Sequence, residues 1–174
     1  MHAGSDNMLA QSVMAIGLCI ITFVLVHSAI SDFVSYRIPN WVLAFGGVAF
    51  VPAALLAALP FAQFAASVGA AFLVLAAGFV LFSRNLIGGG DAKMAAVTAL
   101  WCGADQAIPF LVHATLIGGI LAIGLAALRR MVQHGKAPRF PGIEALQSGR
   151  REIPYGVALA LGGLTVLPST AWAP

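Results

Sequence analysis

Residues 18–47 read LCIITFVLVHSAISDFVSYRIPNWVLAFGG: an apolar run, a short polar break holding Asp32 and Arg37, and a second apolar run. A membrane-crossing helix needs about 17–25 mostly apolar residues. Within the bilayer core every backbone N–H and C=O must find its partner inside the segment, which selects helices here. The first run reaches back to about residue 9 and the second forward to about residue 58. This stretch therefore reads as two membrane helices joined by a tight link.

The rest of the chain has the same character. Of its 174 residues 60% are hydrophobic and only 9% charged, with a mean hydropathy of +0.96. A soluble domain averages about 25% charged residues. Six apolar segments qualify as spans, near 9–31, 41–58, 61–82, 87–103, 107–128 and 154–172. The second and fourth are short, and Pro52 interrupts the second. The predicted fold is an all-α polytopic membrane protein of six transmembrane helices, one domain over 1–174, with a basic link at 129–153. No Lys or Arg precedes Arg37, so the first apolar segment reads as a retained span and not a cleaved leader.

Charge orients the bundle. The nine basic residues are Arg37, Arg84, Lys93, Arg129, Arg130, Lys136, Arg139, Arg150 and Arg151. All fall in or beside the segments near 32–40, 83–93 and 129–153, and the alternate links carry none. The positive-inside rule then places those three segments in the cytoplasm and both termini outside. The net charge of +3 and pI near 9.3 thus report topology, and no nucleic-acid partner is expected.

Two acidic residues stand out against this background. A carboxylate at the centre of a membrane helix costs about 2.5–3.5 kcal/mol on insertion scales, and less near an interface, so such residues are retained for function. Asp32 closes the first span, and Asp91 follows Gly88-Gly89-Gly90 at the start of the fourth. The chain crosses the membrane twice between them, which puts both at the cytoplasmic face. Paired carboxylates in split protonation states activate water: the anion takes its proton while the acid partner polarises a carbonyl. The dipole of the first span disfavours charge at Asp32, whereas that of the fourth favours it at Asp91, so Asp91 is the expected anion. The glycines let the backbone turn sharply and leave room for an extended peptide. Intramembrane carboxylates beside glycine-broken segments also mark carriers, so a small cation- or proton-coupled transporter is the alternative.

Three segments together resemble the type IV prepilin peptidase family, the aspartic membrane peptidases with a Gly-x-Gly-Asp motif. Asp32 followed by Arg37-Ile38-Pro39-Asn40 is similar to the family's Asp, basic stretch and Ile-Pro-Asn. Gly88-Gly89-Gly90-Asp91-Ala92-Lys93 looks like Gly-x-Gly-Asp-x-Lys, and Ile153-Pro154-Tyr155-Gly156 is similar to the family's C-terminal Pro-Tyr-Gly segment. The resemblance implies that Asp32 and Asp91 are the catalytic pair. Gly88, Gly90, Lys93, Pro39 and Asn40 would then position substrate or motif. It also implies as substrate a prepilin or pseudopilin with a basic leader and a hydrophobic helix, cleaved at the cytoplasmic face of a bacterial inner membrane. Larger members carry an insertion with paired cysteines and also methylate the new N-terminus. Here the first link is short and no C-x-x-C exists, so the chain resembles the compact peptidases of tight-adherence (Flp-type) pili, with no methyltransferase, cofactor or metal expected.

Other residues have simpler readings. Asn40 is expected to cap the second span. Cys19 and Cys102 read as buried apolar side chains, and His27 and His113 as hydrogen-bonded in the bundle interior. Trp41, Trp101 and Trp172, near span ends, read as interfacial anchors.

Overall fold

The computed structural model describes residues 3–134 and 154–173. It is all-helical over those residues: α1 (Ala3–Ser35), α2 (Asn40–Leu56), α3 (Phe61–Ser83), α4 (Gly89–Cys102), α5 (Ala104–Gln133) and α6 (Tyr155–Val166), then a 3-10 turn at Leu167–Ser169. Met8–Ser35, Phe61–Ser83 and Ala104–Val132 are each long and apolar enough to cross a membrane. Two of the others, α2 and α6, are apolar but shorter, and α4, at 14 residues, is about 21 Å long. The protein is a multi-pass membrane protein.

Local chemistry sets the helix ends. Tyr36, Ala58 and Asn85 all adopt positive φ, at 54°, 51° and 56°, each just past a helix C-terminus. After α3 the turn is closed by Leu86 N–H donating to Leu81 O at 3.0 Å, a Schellman-type cap. Pro39 and Pro60 then open α2 and α3, where a missing N–H costs nothing. Between α4 and α5 there is only Gly103, at φ 80° and ψ 166°, a region open in practice to glycine alone.

Two boundaries differ from expectation. The helix α5 runs on to Gln133, so Arg129 and Arg130 are helical and not part of the link. Ala, Leu, Arg and Met are strong helix formers, and no breaker occurs before Gly135. The remainder of the 129–153 link, residues 135–153, lies outside the described residues. At the C-terminal end α6 stops at Val166, because Pro168 admits only the 3-10 turn.

The helices form an inner pair and an outer set. The short helices α4 and α6 are the inner ones: Ala92, Met94, Ala95, Ala96, Thr98 and Ala99 of α4 are buried, as are Ala158, Leu159, Ala160, Gly162 and Gly163 of α6. Small residues make this possible, since helices in lipid associate by close backbone packing. A Cβ at Gly78 of α3 would lie 2.9 Å from the Ala92 Cβ, and one at Gly162 would lie 2.6 Å from the backbone N of Ala114 in α5. The outer helices turn large apolar side chains outward, among them Phe72, Leu73 and Phe79 of α3 and Ile108, Ile120 and Ile123 of α5. Cys19 is on this exposed surface, contrary to expectation, while Cys102 is buried.

The far end of α4 from Asp91 is pinned by aromatic rings. Trp101 and Trp172 have ring centroids 4.9 Å apart, and Phe50 meets them at 5.5 and 5.9 Å. The Trp101 indole N–H donates to Gly46 O at 2.9 Å. Both tryptophans are 1% exposed, so they are core residues and not interfacial anchors. They belong to the inner layer, which ends short of the outer helices.

Candidate active site

The two aspartates face one cavity of about 400 Å³. The end of α1 and its link contribute Asp32, Tyr36, Arg37 and Ile38, and α2 contributes Asn40. From the other side come Gly88, Gly89, Gly90, Asp91 and Lys93 at the start of α4. Asp32 is only 7% exposed, whereas Asp91 is half-buried. Of the residues singled out in sequence, the cavity gathers all but Pro39, whose place is structural: it precedes α2 at φ −65°.

Each carboxylate is held by a backbone N–H. Asp91 is the third residue of α4 and reaches back, its Oδ2 accepting from Gly88 N–H at 3.3 Å. This is half of a capping box, and it keeps the carboxylate at the positive end of the helix. Asp32 is held from a distant part of the chain: its Oδ2 accepts from Gly156 N–H at 2.7 Å. That donor belongs to the first turn of α6, whose N-terminus points at the carboxylate. The dipole of α1 therefore does not act alone on Asp32, and the expected contrast between the two carboxylates loses its basis.

The Pro-Tyr-Gly segment acquires a physical meaning here. Pro154 opens α6, and the Tyr155 ring packs over Gly118, where a Cβ would come within 2.5 Å of it. Gly156 faces Asp32 so closely that a Cβ would lie 2.8 Å from Oδ2. Gly156 was not among the site residues expected from sequence. A glycine in the first turn of a helix, two residues after a proline opener, is the signal that would have found it.

The glycines before Asp91 are occupied by the protein's own atoms. The open side of Gly90 is filled by Ile38, 3.3 Å from an added Cβ, and that of Gly88 by the Asp91 carboxylate at 2.9 Å. Gly90 thus lets the α1–α2 link approach α4, while all three glycines still line the cavity. Lys93 Nζ donates to Asn40 Oδ1 at 3.0 Å, which ties α4 to α2 at the cavity rim. Asn40 is thus committed to Lys93 and makes no cap bond; Pro39 occupies the cap position.

The histidines divide. His113 Nδ1 lies 2.8 Å from Thr165 Oγ1, whose own hydroxyl donates to Gly162 O at 2.7 Å. His113 is thus hydrogen-bonded between α5 and α6. His27 has no hydrogen-bond partner at Nδ1 and stacks edge-on against Trp41. Among the described residues no set of three or more His, Cys, Asp or Glu side chains converges as a metal site.

The sequence profile of the Type IV leader peptidase family matches residues 19–123, more than half of the chain. The protein belongs to that family and is a peptidase. The match takes in Asp32, Asp91 and both flanking motifs and ends before Pro154. No curated protein and no solved structure matches the chain.

Proposed function

We propose that this peptidase is an aspartic endopeptidase that removes the basic leader of a prepilin or pseudopilin. The observation that carries this reading is the placing of Asp32 and Asp91 on one cavity, each with its own backbone donor. One carboxylate takes a proton from a water molecule, and the resulting oxygen nucleophile attacks the scissile carbonyl carbon. The other, protonated, donates to the carbonyl oxygen, giving a tetrahedral diol. Collapse of the diol breaks the C–N bond, with a proton passing to the departing amine. Fixed geometry is most of the contribution, since holding reactants in place replaces a bimolecular encounter.

The chain's own residues serve that step in distinct ways. Gly156 N–H orients Asp32 and Gly88 N–H orients Asp91. Lys93, with Asn40, keeps α2 against α4 and brings a positive charge to the cavity rim. Six spans with both termini outside, the arrangement favoured by the distribution of Lys and Arg, place the cavity at the cytoplasmic face of the inner membrane. The substrate's leader is reached there.

Purified protein in detergent, given a prepilin substrate, cleaves it between leader and apolar helix. Asp32→Asn and Asp91→Asn each abolish cleavage while helicity and thermal midpoint stay near wild type. Full activity in either variant would refute the two-aspartate mechanism.

A further inference from the structure

A second recess joins the aspartate cavity. The helices α2 and α3 both pack on α4 but scarcely touch each other. A groove is left between them with α4 as its floor. Its upper part, about 360 Å³, runs from Asn40 and Lys93 past Ala44 and Leu75 to Ala96 and Val97. Its lower part, about 230 Å³, continues from Ala96 and Val97 past Gly47 and Ala71 to Val51 and Phe72. Asn40 and Lys93 also line the aspartate cavity, so the groove and the cavity share a rim. From Asn40 to Val51 the groove is about 16 Å long, or three helical turns.

The lining describes its occupant. Polar groups occur at the rim alone, and below Lys93 the walls are apolar. Ala44, Gly47, Ala71 and Ala96 keep the walls low, and a Cβ at Gly47 would meet nothing within 4 Å. Small side chains of this kind let a helix backbone approach closely in lipid. Such a lining suits an apolar helix of about three turns with a polar extension at the rim, beside the two carboxylates.

We infer that this groove between α2 and α3 receives the apolar helix of the substrate and so presents the bond just before that helix to Asp32 and Asp91. The inference rests on the aspartic peptidase reading above. A helix lying in the groove enters with its N-terminal end at Lys93 and Asn40. The peptide leaving that end crosses the rim into the aspartate cavity. The groove then acts as a ruler, setting the cleavage point by where the apolar helix begins.

Two measurements test the groove separately from the chemistry. In the first, Gly47→Leu fills the groove and Gly119→Leu, on α5, serves as control; beyond its own helix an added Cβ at either glycine meets nothing within 4 Å, and each variant is required to keep the wild-type thermal midpoint. For a substrate with its helix, Gly47→Leu raises KM by about tenfold or more and leaves kcat near wild type, while Gly119→Leu changes neither. In the second, Phe72 is replaced by a photo-crosslinking phenylalanine analogue in protein carrying Asp91→Asn. Ile120 is replaced in the same way as control, both positions being exposed. Irradiation with substrate joins position 72 to the substrate's helix and leaves position 120 without adduct. Wild-type kinetics in Gly47→Leu, or adducts at 72 only with lipid or with a second copy of this chain, would overturn the groove assignment. Absence of cleavage by the wild-type protein, with the position-72 adduct still formed, would instead remove the peptidase chemistry and leave the docking site standing.

Discussion

Replacing Gly156 with alanine probes how Asp32 is held. The new Cβ would lie 2.8 Å from Oδ2, 3.0 Å from Cβ and 3.1 Å from Cγ of Asp32. Asp32 is short and buried in the wall of α1, so it has no long side chain with which to give way. Either α6 retreats or the carboxylate rotates, and both lengthen the 2.7 Å bond from Gly156 N–H. A hydrogen bond to a charged group contributes about 1.5–3 kcal/mol, and forcing extra volume into a packed site costs about 1–3 kcal/mol. Relief of one loss is obtained at the expense of the other, so the net destabilisation is about 1–3 kcal/mol. The effect on rate is larger in proportion, because moving a reacting group by about 1 Å costs about 100-fold. The assay pairs thermal unfolding, followed by helical circular dichroism in detergent, with initial rates on a prepilin substrate. Gly156→Ala lowers the midpoint and cuts kcat/KM about 100-fold. Gly119→Ala, where a Cβ meets no atom within 4 Å, matches wild type in both. A Gly156→Ala protein with wild-type midpoint and kcat/KM would show that the α6 N-terminus does not hold Asp32.

Two further substitutions act far from the cavity. Gly103→Ala forces a side chain to φ 80°, ψ 166° between α4 and α5, and costs about 1–3 kcal/mol of stability by thermal unfolding. Trp101→Phe removes the N–H that donates to Gly46 O and leaves part of a packed aromatic cluster empty, a loss of about 1–3 kcal/mol. It retains wild-type kcat/KM at temperatures below its lowered midpoint, because Trp101 and Asp91 lie at opposite ends of α4.

The helices were legible in the sequence because apolar runs of span length have few other outcomes, and glycine and proline mark their ends. Asp32 and Asp91 were legible because a carboxylate beside hydrocarbon needs a reason. Layering was not legible. Hydropathy reports how apolar a segment is and not what it packs against, and α4 and α6 stand apart from α1 and α3 in length, 14 and 12 residues against 33 and 23. Trp101 and Trp172 followed from that gap: each falls near a span end in sequence, but the spans in question are the short inner ones. The hold on Asp32 was hidden for another reason. Gly156 is 124 residues away, and nothing local to either residue names the other. Asn40 was misread as a cap because Lys93 competes for its oxygen from another helix.

The tryptophans also divide the molecule optically. Trp101 and Trp172, in contact and shut away from water, form a coupled chromophore pair whose near-ultraviolet dichroism depends on the far end of the bundle staying assembled. Trp41 is 59% exposed, adjoins Asn40 at the rim of the cavity, and has the His27 ring 5.4 Å from its own. Its emission reports the polarity around the start of α2. One unlabelled chain thus carries a buried indole pair that reports assembly at one end of α4 and an exposed indole at the start of α2.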